Sequence, residues 1–499
     1  MTSEDDLRRL ANGVLWPGFL GRSAPAWLLD ELRAGLAGVV YFAQNVGDEL
    51  ERLSSDLRAA NPDILIGIDE EGGSVTRLET TNGSTVLGAA QLGFLDDLDA
   101  TRATGAEIAR RLQAVGVNAQ LGPDVDVNTD PRNPVIGVRA FGDDAELVSR
   151  HGVAQVEGIQ ASGAVAACVK HFPGHGDTHL DSHHDLPTLR LTEQQLAEHR
   201  APFVAAIAAG VDMIMTAHIV IEQFGPLPAT LNAEILGGLR ADGFEGVIVT
   251  DALDMAAIRE TYGLGAGAVM ALQAGADLLC IGNPTNPGDA MAPDQDERDF
   301  FAVQSAVIAA LRDGTLSHET VQAAGERVAD LGRRTAAAAR TTAPVPDELD
   351  AEPIALRATT VLGDQSPTLA ASAVVLDARR RATFAVDSNG GYLPAILASG
   401  GHIIRVDPES ADDGERAAAV AAAVADPAER VVVLVDRIAV DESQRQVVAT
   451  VAAAGVDAAV VNTGIPVTTL SEAGSLPVVQ VRASSRLSAL AARAVLIWD

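Results

Sequence analysis

The sequence predicts an α/β protein: a (β/α)8, TIM-type barrel followed by a smaller, open α/β sandwich domain. Three observations carry this. First, 499 residues are too many for one compact core, so two domains are the default. Second, short apolar runs alternate with helical patterns through the first two-thirds of the chain. Strand-then-helix order predicts a parallel sheet, and seven or eight such units in roughly 330 residues fit a closed barrel. Third, Asp69, Asp124, Asp126, Lys170, His171, His218 and Asp251 each fall at or near the C-terminal end of a strand candidate. A barrel gathers those ends on one face, where active sites are built. One such residue could be a helix cap; capping does not explain the same placement on five strands.

In chain order the strand candidates are Gly38–Phe42, Ile64–Asp69, Val117–Val127, Ala164–His171, Val211–His218, Gly246–Asp251 and Ala276–Gly282. Helical patterns such as Ala106–Val115 and Pro202–Ala209 lie between them, the latter with Pro202 expected in its first turn. The Ala/Thr/Pro-rich stretch Arg333–Leu356 reads as a linker. Beyond it, apolar runs recur at Ser372–Asp377, His402–Asp407, Arg430–Asp436, Asp457–Thr463 and Val478–Ala483, several separated by Ala-rich helices. The expected division is a catalytic barrel over 1–335, a linker over 336–355 and an α/β domain over 356–499. The last has no glycine-rich phosphate loop, so nucleotide binding has no support.

Composition narrows the function classes. The chain is 47% hydrophobic and 21% charged, ordinary for a globular protein. A formal charge of −32 argues against nucleic-acid or anionic-membrane partners, which need a basic surface. Cys168 and Cys280 each sit in an apolar run and read as small buried thiols. The first residues are acidic where a secretion signal would be basic, and no run reaches the length of a membrane span. A soluble cytoplasmic protein is the simplest expectation.

Chemistry concentrates in Lys170–Pro187, KHFPGHGDTHLDSHHDLP, which holds five of the ten histidines. So many protonatable groups in a Gly/Pro-rich stretch are costly to bury and suit a working loop. Three uses compete. His171, His175, His179 and His183 are spaced by four, as metal ligands on a helix would be, but Pro173, Gly174 and Gly176 oppose a helix there. Asp181 beside His183 could form a catalytic pair, the carboxylate fixing the imidazole tautomer and raising its basicity. Alternatively the histidines satisfy one another. The loop by itself leaves the last two open. Asp251, ending one strand run, could cap a helix or act as a nucleophile. Asp69, followed by Glu70, Glu71 and the Gly72-Gly73 pair, reads as a carboxylate held where a ligand approaches the backbone, with Arg77 bracing it or touching the ligand. Acids and bases on one barrel face, without a cofactor motif, fit carbohydrate recognition and hydrolysis.

The motifs D-x-EGG-x-V-x-R (Asp69–Arg77), PRNPVIGVRAFGDD (Pro131–Asp144), KHFPGHGDTHLDSH (Lys170–His183), MTAHI (Met215–Ile219) and VTDALDM (Val249–Met255) together resemble the family 3 glycoside hydrolases. More narrowly, they resemble the NagZ-type β-N-acetylglucosaminidase branch. The likeness runs in order from about Leu15 to Leu331, and the tail, with VNTGIPV, is more weakly similar to the second domain of two-domain members. The resemblance implies a retaining double displacement on non-reducing terminal β-GlcNAc, often in muropeptide fragments from cell-wall recycling. It makes Asp251 the nucleophile and His183 with Asp181 the acid/base dyad. Its substrate contacts map onto Asp69, Arg77, Arg139, Lys170 and His171. For Arg139 and Lys170 the plain alternative is a salt bridge to neighbouring acids. No cofactor and no metal are implied, and the partner is a small carbohydrate. Within catalysis, phosphate could replace water as acceptor, since a neutral imidazole does not repel it as a carboxylate would. A β-glucosidase and a non-catalytic sugar-binding module are further alternatives.

Overall fold

The computed structural model describes residues 3–178, 186–341, 348–363, 372–380, 390–407, 413–426 and 429–496. They form two compact units. Unit 1 comprises Met1–Glu70, Thr101–Pro134 and Asp143–Glu348; unit 2 comprises Glu71–Ala100, Val135–Gly142 and Leu349–Asp499.

Among the described residues, the barrel of unit 1 is built on eight short strands, apart from a small pair at Thr188–Leu189 and Val220–Ile221: β1 (Leu15–Pro17), β2 (Gly38–Tyr41), β3 (Leu65–Ile68), β4 (Ala119–Gln120), β5 (Ala166–Phe172), β6 (Met213–Thr216), β7 (Val247–Val249) and β8 (Leu279–Gly282). β2 to β7 form a parallel sheet in chain order. β8 pairs with β1, and a parallel bridge from Val249 to Leu278 continues the succession from β7. Every residue in these strands is buried, because a curled parallel sheet is covered by side chains on one face and helices on the other. Trp16, Val40, Leu65, Ala166, Cys168 and Met213 pack together inside, and Val328 and Leu331 of the helix His318–Ala339 join the cluster. The Ala-rich run at 333–339 completes that helix, as the high helix propensity of alanine favours.

Three local readings change. β1 was not a strand candidate: it is three residues long and ends on Pro17, and only its pairing with distant β8 makes it a strand. The apolar run Val117–Val127 holds a strand of two residues, because Pro123 interrupts the ladder. The chain beyond still follows β5, with Lys170 N donating to Pro123 O and Val125 N to Lys170 O. Pro202 lies inside the helix Glu193–Ala208, not in its first turn. Thr192 and Gln195 form a capping box that starts this helix nine residues earlier.

Unit 2 carries a six-stranded sheet: β9 (Thr360–Leu362), β10 (Val374–Asp377), β11 (Ile403–Arg405), β12 (Val431–Val435), β13 (Ala458–Asn462) and β14 (Val478–Gln480), in the order β9-β14-β13-β12-β10-β11. Only β9 runs antiparallel. Val374, Leu376, Val431 and Val433 belong to one apolar cluster, and Val375, Val432 and Leu434 to another. Alternate residues thus feed two buried faces, the signature of a sheet sandwiched between helix layers. Segment 71–100 packs onto this unit. Ser484 N donates to Ser74 Oγ (2.8 Å), Gln91 Nε2 donates to Val481 O (3.2 Å), and the Arg482 guanidinium lies 3.6 Å from the Phe94 ring centre. Gly72 and Gly73 have positive φ, and a Cβ on them would fall 2.4 Å from Leu87 O and 2.6 Å from Gly88 Cα. The backbone these glycines admit is the chain's own 87–88 segment, where the sequence suggested a ligand.

Candidate active site

The parallel order of β1 to β8 brings their C-terminal ends to one face. Asp69 follows β3, Asp124 and Asp126 follow β4, Lys170 and His171 lie late in β5, His218 follows β6 and Asp251 follows β7. Side chains alternate along β5, so Lys170 shares the interior face with Ala166 and Cys168. Lys170 Nζ bonds Asp69 Oδ1 at 2.7 Å, the lysine side chain 3% exposed and the aspartate 18%. Burial pushes the Cys168 thiol up; among charges, Lys170 lowers it while Asp69 and Asp251 raise it. Those three groups therefore lie within electrostatic reach of one interior atom.

The histidine loop wraps one carboxylate. His171 Nδ1 lies 2.8 Å from Asp126 Oδ2, and His175 N donates to Asp126 Oδ1 at 2.6 Å. Burial alone would raise the Asp126 carboxyl, but the hydrogen bond from the His171 ring, more than any other neighbour, holds it below the usual range. His175 is no member of a helical ligand row. It sits in a loop, bonded through Nδ1 to Thr178 Oγ1 (2.9 Å), and burial lowers it to about 4, so it is neutral near pH 7. Among the described residues, Asp124, Asp126 and His171 bring ligand-type atoms within 4.8 Å of one another. His179, Asp181 and His183 lie outside the described residues. On the flanks, Asn133 Nδ2 donates to His175 O (2.8 Å) and Val220 N to Pro187 O (2.8 Å).

The Asp251 turn is braced from β6. His218 Nε2 lies 2.9 Å from Ala252 O, and a carbonyl only accepts, so Nε2 carries the proton. His218 Nδ1 meets Thr230 Oγ1 at 2.8 Å. Ala252 N donates to Asp251 Oδ1 at 2.8 Å.

Residues 23–331 match the glycosyl hydrolase family 3 N-terminal domain. The chain belongs to glycosyl hydrolase family 3. It is 33% identical over 337 residues to a β-hexosaminidase A of Pseudoalteromonas piscicida, a match over 61% of this chain and 54% of that protein. It thus spans about half the length of that relative. A β-hexosaminidase of Xylella fastidiosa is 36% identical over 282 residues, 53% of this chain and 81% of the relative. Among solved structures, a glycoside hydrolase family 3 β-N-acetylglucosaminidase from Paenibacillus sp. str. FPU-7 superposes with a TM-score of 0.83 at 31% identity, over 98% of this chain and 96% of that one. The barrel and the sandwich domain are therefore the fold of this family 3 chain, as the sequence predicts.

The family resemblance also points to Arg77 and Arg139, which the structure places in unit 2. Arg139 makes a buried two-pronged bond to Glu71, Nε to Oε2 at 2.9 Å and Nη2 to Oε1 at 2.8 Å. The salt bridges weighed as alternatives for Arg139 and Lys170 are thus both formed, which fixes the cations in place. Arg77 is half-buried, and its carbonyl accepts from Thr80 Oγ1 at 3.1 Å.

Asp126, His218, Glu71 and Asp254 received no role from the sequence. Asp254, three residues past Asp251, is buried. Its Oδ2 accepts from Asn286 Nδ2 (2.7 Å), while Oδ1 lies against Gly282 with no hydrogen bond among the described residues. Burial pushes this carboxyl up to about 8. The unfolded chain then loses the proton near pH 4 and the folded chain only near pH 8, so this group costs stability progressively across that window. Asp254→Asn should therefore gain melting temperature relative to wild type as pH rises from 5 to 8. A difference that stays flat across that range in paired thermal melts refutes the assignment.

Lys170 is the only lysine in the chain, against 35 arginines.

Proposed function

We propose that this family 3 chain is a retaining exo-β-N-acetylglucosaminidase that removes non-reducing terminal β-GlcNAc, with muropeptide fragments of cell-wall recycling as its substrates. One observation carries the reading: Asp69, Lys170 and Asp251 lie at or near the C-terminal ends of three strands of one parallel barrel, on the same face. The Paenibacillus protein, a β-N-acetylglucosaminidase at 31% identity over nearly the whole of both chains, supports it.

In this reading Asp69 accepts hydrogen bonds from sugar hydroxyls, and Lys170, His171, Arg77 and Arg139 contribute the remaining substrate contacts. The Asp251 carboxylate attacks the anomeric carbon while His183, oriented by Asp181, gives a proton to the departing glycosidic oxygen. The C–O bond to the aglycone breaks and a glycosyl ester forms. His183 then takes a proton from water, whose oxygen attacks the same carbon and releases Asp251. Two inversions give retention. A single imidazole serves both steps if it titrates near the working pH.

The deciding experiment is product analysis with a chromogenic β-GlcNAc glycoside, with and without inorganic phosphate. Free GlcNAc, formed at a rate indifferent to phosphate, is the expected result. GlcNAc 1-phosphate, forming faster as phosphate rises, would replace the hydrolase with a phosphorylase on the same residues. Absence of turnover would shift the reading to a β-glucosidase or a sugar-binding module.

A further inference from the structure

Asp126 is fully buried, and no step of the reaction above uses it. An ionised carboxylate withdrawn from water costs several kcal/mol unless its lone pairs are satisfied. Here they are. Oδ1 accepts from His175 N at 2.6 Å, both oxygens lie 3.3 Å from His171 N, and Oδ2 lies 2.8 Å from His171 Nδ1. A carboxylate can only accept, so the His171 ring must place a proton on Nδ1. Asp124 is a second carboxylate near the same nitrogen, its Oδ2 3.9 Å from Nδ1. Asp124 Oδ1 in turn accepts from Asp126 N at 2.9 Å, which holds the two acids in fixed relation.

We propose that Asp126 is a positioning residue for substrate binding: its carboxylate locks His171 as the Nδ1–H tautomer and fixes the ring plane, leaving Nε2 as the nitrogen that meets the sugar. The inference rests on the reading that His171 contacts substrate and adds the residue that sets its protonation geometry. A merely structural Asp126 would serve only the two backbone N–H groups of residues 171 and 175. An asparagine could serve those through its one carbonyl oxygen. What asparagine cannot do is accept from Nδ1–H with its other end. Its amide would donate to Nδ1 and force the ring into the opposite tautomer, with the proton on Nε2. The Asp126→Asn variant therefore separates the two roles with almost no change of shape.

The expected result is a loss of about 10- to 100-fold in kcat/KM for β-GlcNAc glycosides, by analogy with the cost of removing the residue that orients a metal-bound histidine. The melting temperature should stay close to wild type. In a His171→Ala background, Asp126→Asn should cost nothing further, because its effect passes through the ring. An undiminished penalty in that background, or an unchanged kcat/KM in the single variant, overturns the proposal. If Asp126→Asn does not fold, nitrogen-detected NMR of the wild-type imidazoles decides instead: an Nδ1–H pattern for His171 supports the lock, and an Nε2–H pattern refutes it. His171→Ala with wild-type kinetics would defeat the substrate-contact reading, while the NMR result would still report the tautomer. Calorimetry with zinc or manganese adds one more arm. Stoichiometric binding that disappears in Asp126→Asn would make the Asp124–Asp126–His171 cluster a metal site and overturn the tautomer lock.

Discussion

Exchanging Asp251 for alanine should lower kcat/KM on β-GlcNAc glycosides by about 10⁴-fold or more, the scale seen when a catalytic nucleophile is deleted. Added azide should restore part of the turnover and yield an α-glycosyl azide. The reason is geometric. In the proposed mechanism, removing the carboxylate leaves a space the size of a small anion below the anomeric carbon, and azide entering there makes one inversion instead of two. The turn itself should survive the change. The Ala252 carbonyl remains bonded to His218 Nε2, and Leu253 N and Asp254 N still donate to Cys280 O and Ile281 O on β8. Circular dichroism and the melting temperature should therefore match wild type, so that lost activity reports lost chemistry. Turnover that survives Asp251→Ala undiminished, or an azide product of β configuration, would show that another group attacks.

The order of the barrel was legible because its strands are buried on both sides and so read as unbroken apolar runs. The strand-end placement of Asp69, Lys170 and Asp251 was legible for a related reason: a charge at the end of such a run has few structural explanations. β1 and β9 were not legible. Each is three residues long, and each is a strand only through a partner remote in sequence, β8 for one and β14 for the other. Pro202 falls inside its helix rather than in the first turn because the Thr192/Gln195 box, an N-terminal signal in its own right, lies outside the apolar pattern that suggests the helix.

The hydrogen-bond partners of the candidate residues are less legible in the sequence than the candidates themselves. Asp126 and His218 carry ordinary strand-end positions, and only the fold shows that one holds His171 and the other the carbonyl after Asp251. Glu71 belongs to a run of three acids whose members have different fates. Asp69 meets Lys170, Glu70 is wholly buried, and Glu71 pairs with Arg139 sixty-eight residues away in sequence. No local pattern distinguishes them. At the Gly72-Gly73 pair, the close backbone approach is that of the chain's own 87–88 segment.

Lys170→Arg is the most informative conservative substitution in this chain. It keeps the charge and follows the chain's own preference, since all 35 other Lys/Arg positions carry arginine. A composition so strongly biased against lysine makes its one occurrence a statement about chemistry. An ammonium is a compact donor that can hold Asp69 and still reach a sugar oxygen from the same atom. A guanidinium is wider and planar, and it tends to engage both oxygens of a carboxylate at once. At a position whose side chain is 3% exposed, it must push Asp69 aside or occupy both its acceptors. The expected cost is about 100-fold in kcat/KM, the scale of a displacement of about 1 Å within a site. Most of it should fall in KM if the pair serves sugar binding. The melting temperature should change little, because the charge remains paired. Wild-type kinetics in Lys170→Arg would mean that only the charge matters, and the pair would then be a structural salt bridge. The same scarcity supplies an independent check. Reductive methylation can modify no ε-amino group but that of Lys170, so the labelling rate at that one residue should fall when GlcNAc is bound. Labelling that is indifferent to GlcNAc would place the sugar elsewhere.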